Sequence, residues 1–239
     1  MQPSREALTI KIFADGADLE GMLDMANKPY ISGLTTNPTL MRKAGITDYV
    51  KFAKEVLDEI RSKPISFEVF SDDLDEMKTQ GVKIASLGEN VYVKVPITNT
   101  QGKSTKDVVR FLVNEGVKVN VTALMTQEQA LQIVEVLNLS VESYVSVFAG
   151  RIADTGRDPL PIMKECLSVL ASNTKCELIW ASPRELLNVF QADQIGCHII
   201  TATNDILKKL DLIDMDLSEY SLDTVKMFYK DATAAGYTI

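Results

Sequence analysis

One lysine and two carboxylates stand where extended backbone would turn them into an enclosed space. In Val91-Tyr92-Val93-Lys94-Val95 the valines occupy every second position, so Tyr92 and Lys94 point to the opposite face. The same alternation sets Ser66, Glu68 and Phe70 against Ile65, Phe67 and Val69, and Lys118, Asn120 and Thr122 against Val117, Val119 and Val121. It also sets Lys11, Phe13 and Asp15 against Ile10, Ile12 and Ala14. If the apolar sets pack on helices, Asp15, Glu68, Lys94, Asn120 and Thr122 share one interior. Ionisable groups there are costly unless paired, so their presence needs a reason.

A structural ion-pair network is one reason and catalysis is the other. The mixture of a lysine, two carboxylates, an amide and a hydroxyl favours catalysis. An uncharged lysine amine attacks a ketone or aldehyde and forms an imine, an electron sink that lets a neighbouring C–C bond break and leave an enamine. Carboxylates beside it move protons to and from the substrate hydroxyl and water. Burial lowers the pKa of an ammonium group and nearby carboxylates raise it, and the residue pattern leaves that balance open.

Such a set must be positioned by a repeating scaffold. Apolar runs of strand length lie near Ile10–Ala14, Ile31–Thr35, Ile65–Phe70, Val91–Val95, Val117–Thr122, Tyr144–Phe148, Leu178–Ala181 and Cys197–Thr201. Helical patterns separate them: Val50, Ala53, Leu57 and Ile60 share one face, as do Ala130, Ile133, Val134 and Leu137. Ser71 and Ser104 suit N-caps, Thr126 with Gln129 makes a capping box, and Gly45, Gly88, Gly116 and Gly196 suit helix ends. Eight strands alternating with helices predict an α/β fold, a (β/α)8 TIM barrel, with a doubly wound open sheet as the alternative. One domain over residues 1–239 is expected. Its tail, 217–239, is helical: Leu222, Val225, Phe228 and Ala232 fall on one face of Ser218–Ala235. That tail either caps its own barrel or reaches a neighbouring subunit. The predicted site residues lie at the C-terminal ends of their strands, where barrel active sites form.

The 239 residues are 46% hydrophobic and 24% charged, ordinary values for a globular chain. A net charge of −8 argues against nucleic acid or an anionic membrane as partner, while leaving room for a local arginine cluster. No apolar run reaches membrane-spanning length, and Met1–Thr9 lacks the apolar stretch of a signal peptide, so a cytoplasmic location is expected. Cys166, Cys176 and Cys197 read as buried, reduced thiols. A single histidine, His198, without a Cys/His cluster predicts no metal site, and no cofactor is expected.

From Lys11 onward the chain resembles the transaldolase family, especially its small single-barrel members. The resemblance rests on Phe13-Ala14-Asp15, Gly33-Leu34-Thr35-Thr36-Asn37-Pro38, Ser66-Phe67-Glu68-Val69, Tyr92-Val93-Lys94-Val95-Pro96, Asn120-Val121-Thr122 and Ser146-Val147-Phe148-Ala149-Gly150-Arg151-Ile152. It implies a transferase of carbohydrate metabolism, of the kind found in the pentose phosphate pathway, that moves a dihydroxyacetone unit between sugar phosphates. Lys94 would be the Schiff-base lysine, Asp15 the acid/base at the substrate hydroxyl, and Glu68 would act with Thr122 through a water. Asn37 and Asn120 would hold substrate hydroxyls and Ser146 would line the pocket. Arg151, with Ser182 and Arg184 of Ala181-Ser182-Pro183-Arg184, would grip the phosphate; the plainer reading of both arginines is solvated surface charge.

The family includes fructose-6-phosphate aldolases, which cleave without an acceptor sugar. That branch usually carries Gln where this chain has Glu68 and Tyr where it has Phe148. A phenol there assists protonation of the enamine, so Glu68 and Phe148 favour the transaldolase branch. A third possibility is a barrel that binds sugar phosphates without turnover, or an enzyme of another carbohydrate pathway. Gly16-Ala17, where the family often has a hydroxyl residue, and Pro183 beside Arg184 depart from the pattern and bear on which sugar is used. Small family members tend to assemble into rings through a C-terminal helix, which Ser218–Ala235 resembles, so a homo-oligomer is expected.

Overall fold

The computed structural model describes residues 7–239. Most of the Met1–Thr9 segment therefore lies outside the described residues. Eight parallel strands close into a barrel in sequence order. They are β1 Lys11–Asp15, β2 Ile31–Thr35, β3 Ile65–Glu68, β4 Val91–Pro96, β5 Val119–Leu124, β6 Ser143–Val147, β7 Cys176–Trp180 and β8 Ile199–Thr203. The helices are α1 Leu19–Ala26, α2 Pro38–Lys43, α3 Tyr49–Glu59, α4 Leu74–Ala85, α5 Lys106–Asn114, α6 Gln127–Val134, α7 Ala149–Asp154, α8 Leu160–Leu170, α9 Leu187–Gln194, α10 Asn204–Leu207 and α11 Leu217–Ala235. The open-sheet alternative is excluded because β1 pairs with both β2 and β8.

Strand parity sorts the side chains into two cores. The outward set, including Val91, Val93, Val95, Val119 and Val121, packs with helix residues such as Phe52, Val56 and Leu112 in the larger core between barrel and helices. Inside the barrel, Phe13, Tyr92, Tyr144, Ile179, Ala181 and Ile199 form a separate cluster. Tyr92 stacks on Tyr144 at 4.1 Å and Phe13 meets Tyr144 edge-on at 5.8 Å, so aromatic rings plug the middle of the barrel. Gly33 makes room for this plug: a Cβ there would lie 2.5 Å from the Phe13 ring. Below the plug, at the N-terminal ends of the strands, Lys11 pairs with Glu177 at 2.9 Å and Lys118 with Glu142 at 3.4 Å. The polar interior of the sequence pattern thus splits into ion pairs beneath the rings and the candidate site above them.

Several boundaries differ from the sequence expectation. The third strand stops at Glu68, and Phe70, expected to face inward, is 61% exposed. The fifth starts at Val119, and the eighth runs Ile199–Thr203 rather than Cys197–Thr201. Short apolar runs do not mark which residues find a partner strand, because pairing is decided by neighbours distant in sequence. Asp73, not Ser71, caps α4 through the amides of Asp75 and Glu76, and Thr105 rather than Ser104 precedes α5. The Thr126/Gln129 capping box is present, and Gly45, Gly116 and Gly196 adopt positive φ after their helices. Cys166, Cys176 and Cys197 are buried and unbridged, and burial holds each thiol well up, at about 11, 12 and 12.

Helix α11 is capped by Asp216, whose carboxylate accepts from Ser218 and Glu219 amides, and ends on Gly236 at φ 66°. None of its residues is buried, and Leu222, Val225 and Phe228 are 53–62% exposed. The reading in which the tail caps its own barrel is therefore corrected: the apolar face that would make that contact stands open. No helix among the described residues is long and apolar enough to cross a membrane.

Candidate active site

Neighbouring strand ends bring the ionisable groups together at the C-terminal mouth. Register places Glu68 opposite Lys94 across β3 and β4. Lys94 is only 6% exposed; its Nζ donates to the Thr36 carbonyl at 2.9 Å and lies 3.3 Å from Glu68 Oε2. Tyr49 of α3 donates its hydroxyl to the Glu68 carbonyl at 2.8 Å and so anchors the end of β3. Burial and the Glu68 charge push the Tyr49 phenol far up, which keeps it a donor. Asp15 ends β1, and Thr35 of β2 donates to its Oδ1 at 2.7 Å.

Burial raises the Asp15 carboxyl above its usual range; the Lys94 charge and the Thr35 hydrogen bond pull it back, and Glu68 adds to the rise. Because the folded state prefers the protonated form, ionisation costs stability as pH rises from about 3.8 through the raised value. Asp15→Asn is therefore expected to raise the Tm at pH 7 by about 2–4 °C, as ~1 kcal/mol does in a chain of this size. The gain should vanish well below pH 3.8, where the carboxyl is protonated in both states. Thermal unfolding at the two pH values checks this; a variant less stable at pH 7 would show that Asp15 serves the fold.

All the sequence-predicted site residues except Asn120 line one cavity of about 480 Å³ at this mouth. Asn37 caps α2, its Oδ1 accepting the Leu40 amide at 3.0 Å, which leaves its amide nitrogen for the cavity. Thr122 Oγ1 is buried without a hydrogen-bond partner. Asn120 lies beneath the cavity wall with no exposure: its amide donates to Ser66 Oγ at 3.0 Å and its Oδ1 accepts from Ser146 at 2.7 Å. Strand tilt explains its depth, since residues in register on tilted strands sit at different heights along the barrel. Asn120 therefore orients Ser146, and Ser146 reaches the cavity.

The opposite wall comes from the β6–α7 and β7–α9 connections. Arg151 lies in α7, and among the described residues it has no hydrogen-bond or ion-pair partner. Arg184 is engaged: its Nε donates to Asp154 Oδ1 at 3.0 Å and a second guanidinium nitrogen pairs with Asp154 Oδ2. Arg184 remains solvent-exposed, as the plainer reading had it, and its pair with Asp154 bridges the β7–α9 connection to α7. Gly150 lets these segments meet, since a Cβ there would fall 1.6 Å from the Ser182 carbonyl oxygen. Ser182 holds φ 59° and Ala123 φ 64°, so two cavity-lining residues adopt the left-handed region that side chains disfavour.

Sequence reasoning passed over Thr35, Thr201, Thr203, Leu40 and Gly150. Thr201 and Thr203 obey the same alternation in Ile199-Ile200-Thr201-Ala202-Thr203, and placing the eighth strand two residues early left Thr203 outside it. No cluster of three or more His, Cys, Asp or Glu placed to hold a metal occurs among the described residues.

Residues 12–239 match the family model described as Transaldolase/Fructose-6-phosphate aldolase. The chain belongs to this transaldolase/aldolase family. A probable transaldolase of Sulfurihydrogenibium sp. (strain YO3AOP1) is 32% identical over 218 residues, covering 90% of this chain and 96% of that protein. Another, from Methanococcus maripaludis (strain C5 / ATCC BAA-1333), is 34% identical over 202 residues, covering 84% and 89%. A solved structure described as "Native KDPGal structure" superposes with a TM-score of 0.53 at 13% identity, over 84% of this chain and 85% of that one, and shows the fold alone. The transaldolase/aldolase match extends to residue 239, so it takes in α11 as well as the barrel. In this transaldolase-family barrel the lysine and carboxylates occupy one side of the mouth and the arginines the other, which suits a substrate with a carbonyl at one end and an anion at the other.

Proposed function

We propose that the protein is a transaldolase in which Lys94 forms a Schiff base with the donor ketose phosphate and a dihydroxyacetone unit passes to an acceptor aldose phosphate. One observation carries this reading: a lysine amine, almost fully buried at a cavity wall, beside one carboxylate and facing a second.

The steps follow from where each group sits. The Lys94 amine adds to the ketose carbonyl, and loss of water gives the protonated imine. Glu68 is near enough to Lys94 Nζ to move protons during that dehydration. The unpartnered Thr122 hydroxyl is a position where the departing water is held. Asp15 takes the proton of the hydroxyl on the far carbon of the bond that breaks. The O–H pair becomes the new C=O, the C–C pair becomes the enamine double bond, and the C=N pair returns to nitrogen. Transfer to the acceptor runs the same changes backwards. Asn37 and Ser146 meet substrate hydroxyls, and Arg151 with Ser182 and Arg184 meets the phosphate.

Phe148 lines the cavity and offers no acidic hydrogen, so the enamine persists until an acceptor arrives. With fructose 6-phosphate as donor, turnover should depend on added erythrose 4-phosphate. Release of dihydroxyacetone from fructose 6-phosphate alone, with no increase on adding erythrose 4-phosphate, would select aldolase activity instead.

The open face of α11 is proposed to be covered by a second copy of the chain, giving a homo-oligomer. Leu217, Leu222, Val225 and Phe228 on one helix form more exposed apolar surface than isolated side chains would. Sedimentation of the full chain should give a multiple of the 26.4 kDa protomer, and truncation at Asp216 should reduce it. An unchanged mass per particle after truncation would exclude α11 as the contact.

A further inference from the structure

We infer that Thr35 and Thr201 form a two-hydroxyl relay that reverses direction with the protonation state of Asp15, making Thr201 a positioning residue for the proton transfer of C–C cleavage. This rests on the acid/base role proposed above for Asp15. Asp15 lies in register with Thr35 on one side and Thr203 on the other, and Thr201 is the residue in register with Phe13. Thr35 Oγ1 lies 2.7 Å from Asp15 Oδ1 and 2.5 Å from Thr201 Oγ1, with Thr35 2% and Thr201 6% exposed.

A hydroxyl has one proton to give. While Asp15 is a carboxylate, Thr35 donates to Oδ1, so the short contact with Thr201 must be filled by the Thr201 proton. Once Asp15 has taken a substrate proton on Oδ1 it becomes a donor. Thr35 then accepts from it and turns its own proton toward Thr201. Both hydrogen bonds survive in both states, no heavy atom moves, and no proton leaves the set. A lone Thr35 could serve the carboxylate but would be left with an orphaned, buried donor beside the acid. Two hydroxyls in line carry that spare proton away from the acid to Thr201, which lines the cavity, for a group that must be base and acid in one cycle.

The charged groups facing Asp15 are Lys94 from β4 and Glu68 from β3; Lys43 of α2, Asp18 ahead of α1 and Asp205 of α10 line the adjoining recess. None of these is altered by a change at Thr201. The test is the pH dependence of kcat for transfer from fructose 6-phosphate to erythrose 4-phosphate in the wild type, Thr201→Val, Thr201→Ser and Thr35→Val. Thr201→Val should disfavour the protonated acid and move the acid limb down by about 0.5–1 pH unit. Thr35→Val removes the donor to the carboxylate and should move it up. Thr201→Ser should restore the wild-type profile. KM should change less than kcat in Thr201→Val, because the relay faces the proton transfer rather than the sugar. A fall in kcat with an unmoved profile, or Val and Ser variants that behave alike, would overturn the relay. If the valine variant fails to fold, Thr201→Ala makes the same prediction. Borohydride trapping of the wild type on Lys94 and loss of kcat in Asp15→Asn separate the outcomes: without either the acid/base reading fails, and with both only the relay is at stake.

Discussion

Lys94→Met should lower transfer activity by at least about 10⁴-fold while the chain still folds. The loss is that large because, in the proposed mechanism, the amine does covalent work that no neighbour can take over: Glu68 and Asp15 would move protons but form no imine. Methionine keeps much of the length and apolar stem of lysine and removes the charge. That leaves Glu68 without its cation and the Thr36 carbonyl without its donor, contacts that the wild type makes at 3.3 and 2.9 Å. Some loss of stability is therefore expected, and circular dichroism with a thermal melt must accompany the assay. A folded variant that retained more than about one hundredth of wild-type turnover would exclude Lys94 as the nucleophile.

Gly150→Ala should raise the KM for a phosphorylated donor by about 10–100-fold, with a smaller change in kcat, because displacements of an ångström in a positioning wall cost that much. The backbone of Gly150 passes so close to Ser182 that an added methyl would fall inside the Ser182 carbonyl oxygen, at 1.6 Å, and 3.2 Å from Arg184 Nε. Backbone cannot yield as a flexible side chain does, so α7 and the 181–184 segment must part. Arg151 stands on one of those segments and Ser182 and Arg184 on the other. Comparing kinetics on fructose 6-phosphate with those on fructose as unphosphorylated donor locates the damage. An equal loss on both would place it in the covalent chemistry instead of the phosphate wall.

The lysine-and-carboxylate end of the site was legible in the sequence because strand alternation is local. Valines on alternate positions around Lys94, and the same pattern around Asp15, Glu68 and Thr122, suffice to turn those side chains inward. The barrel was legible for a similar reason, since eight short apolar runs separated by helical patterns leave few architectures. What stayed hidden depends on distant neighbours. Alternation assigns Asn120 to the interior but not to a height in it, and strand tilt sinks it below the cavity into the grip of Ser66 and Ser146. The pairing of Arg184 with Asp154 spans 30 positions and follows from the close approach at Gly150. Thr201 escaped notice as a partner of Thr35, and through it a neighbour of Asp15, because β8 meets β1 only when the barrel closes. The stance of α11 was equally unreadable, since an amphipathic face shows that something is to be covered and not by what.

The covalent role of Lys94 is tested most directly by reducing the protein with borohydride in the presence of fructose 6-phosphate and locating the added mass by peptide mass spectrometry. A dihydroxyacetone-derived or whole-sugar adduct on the peptide containing Lys94, absent without sugar, is the expected result. An adduct on another lysine, or no adduct under conditions where the protein turns over, would contradict it.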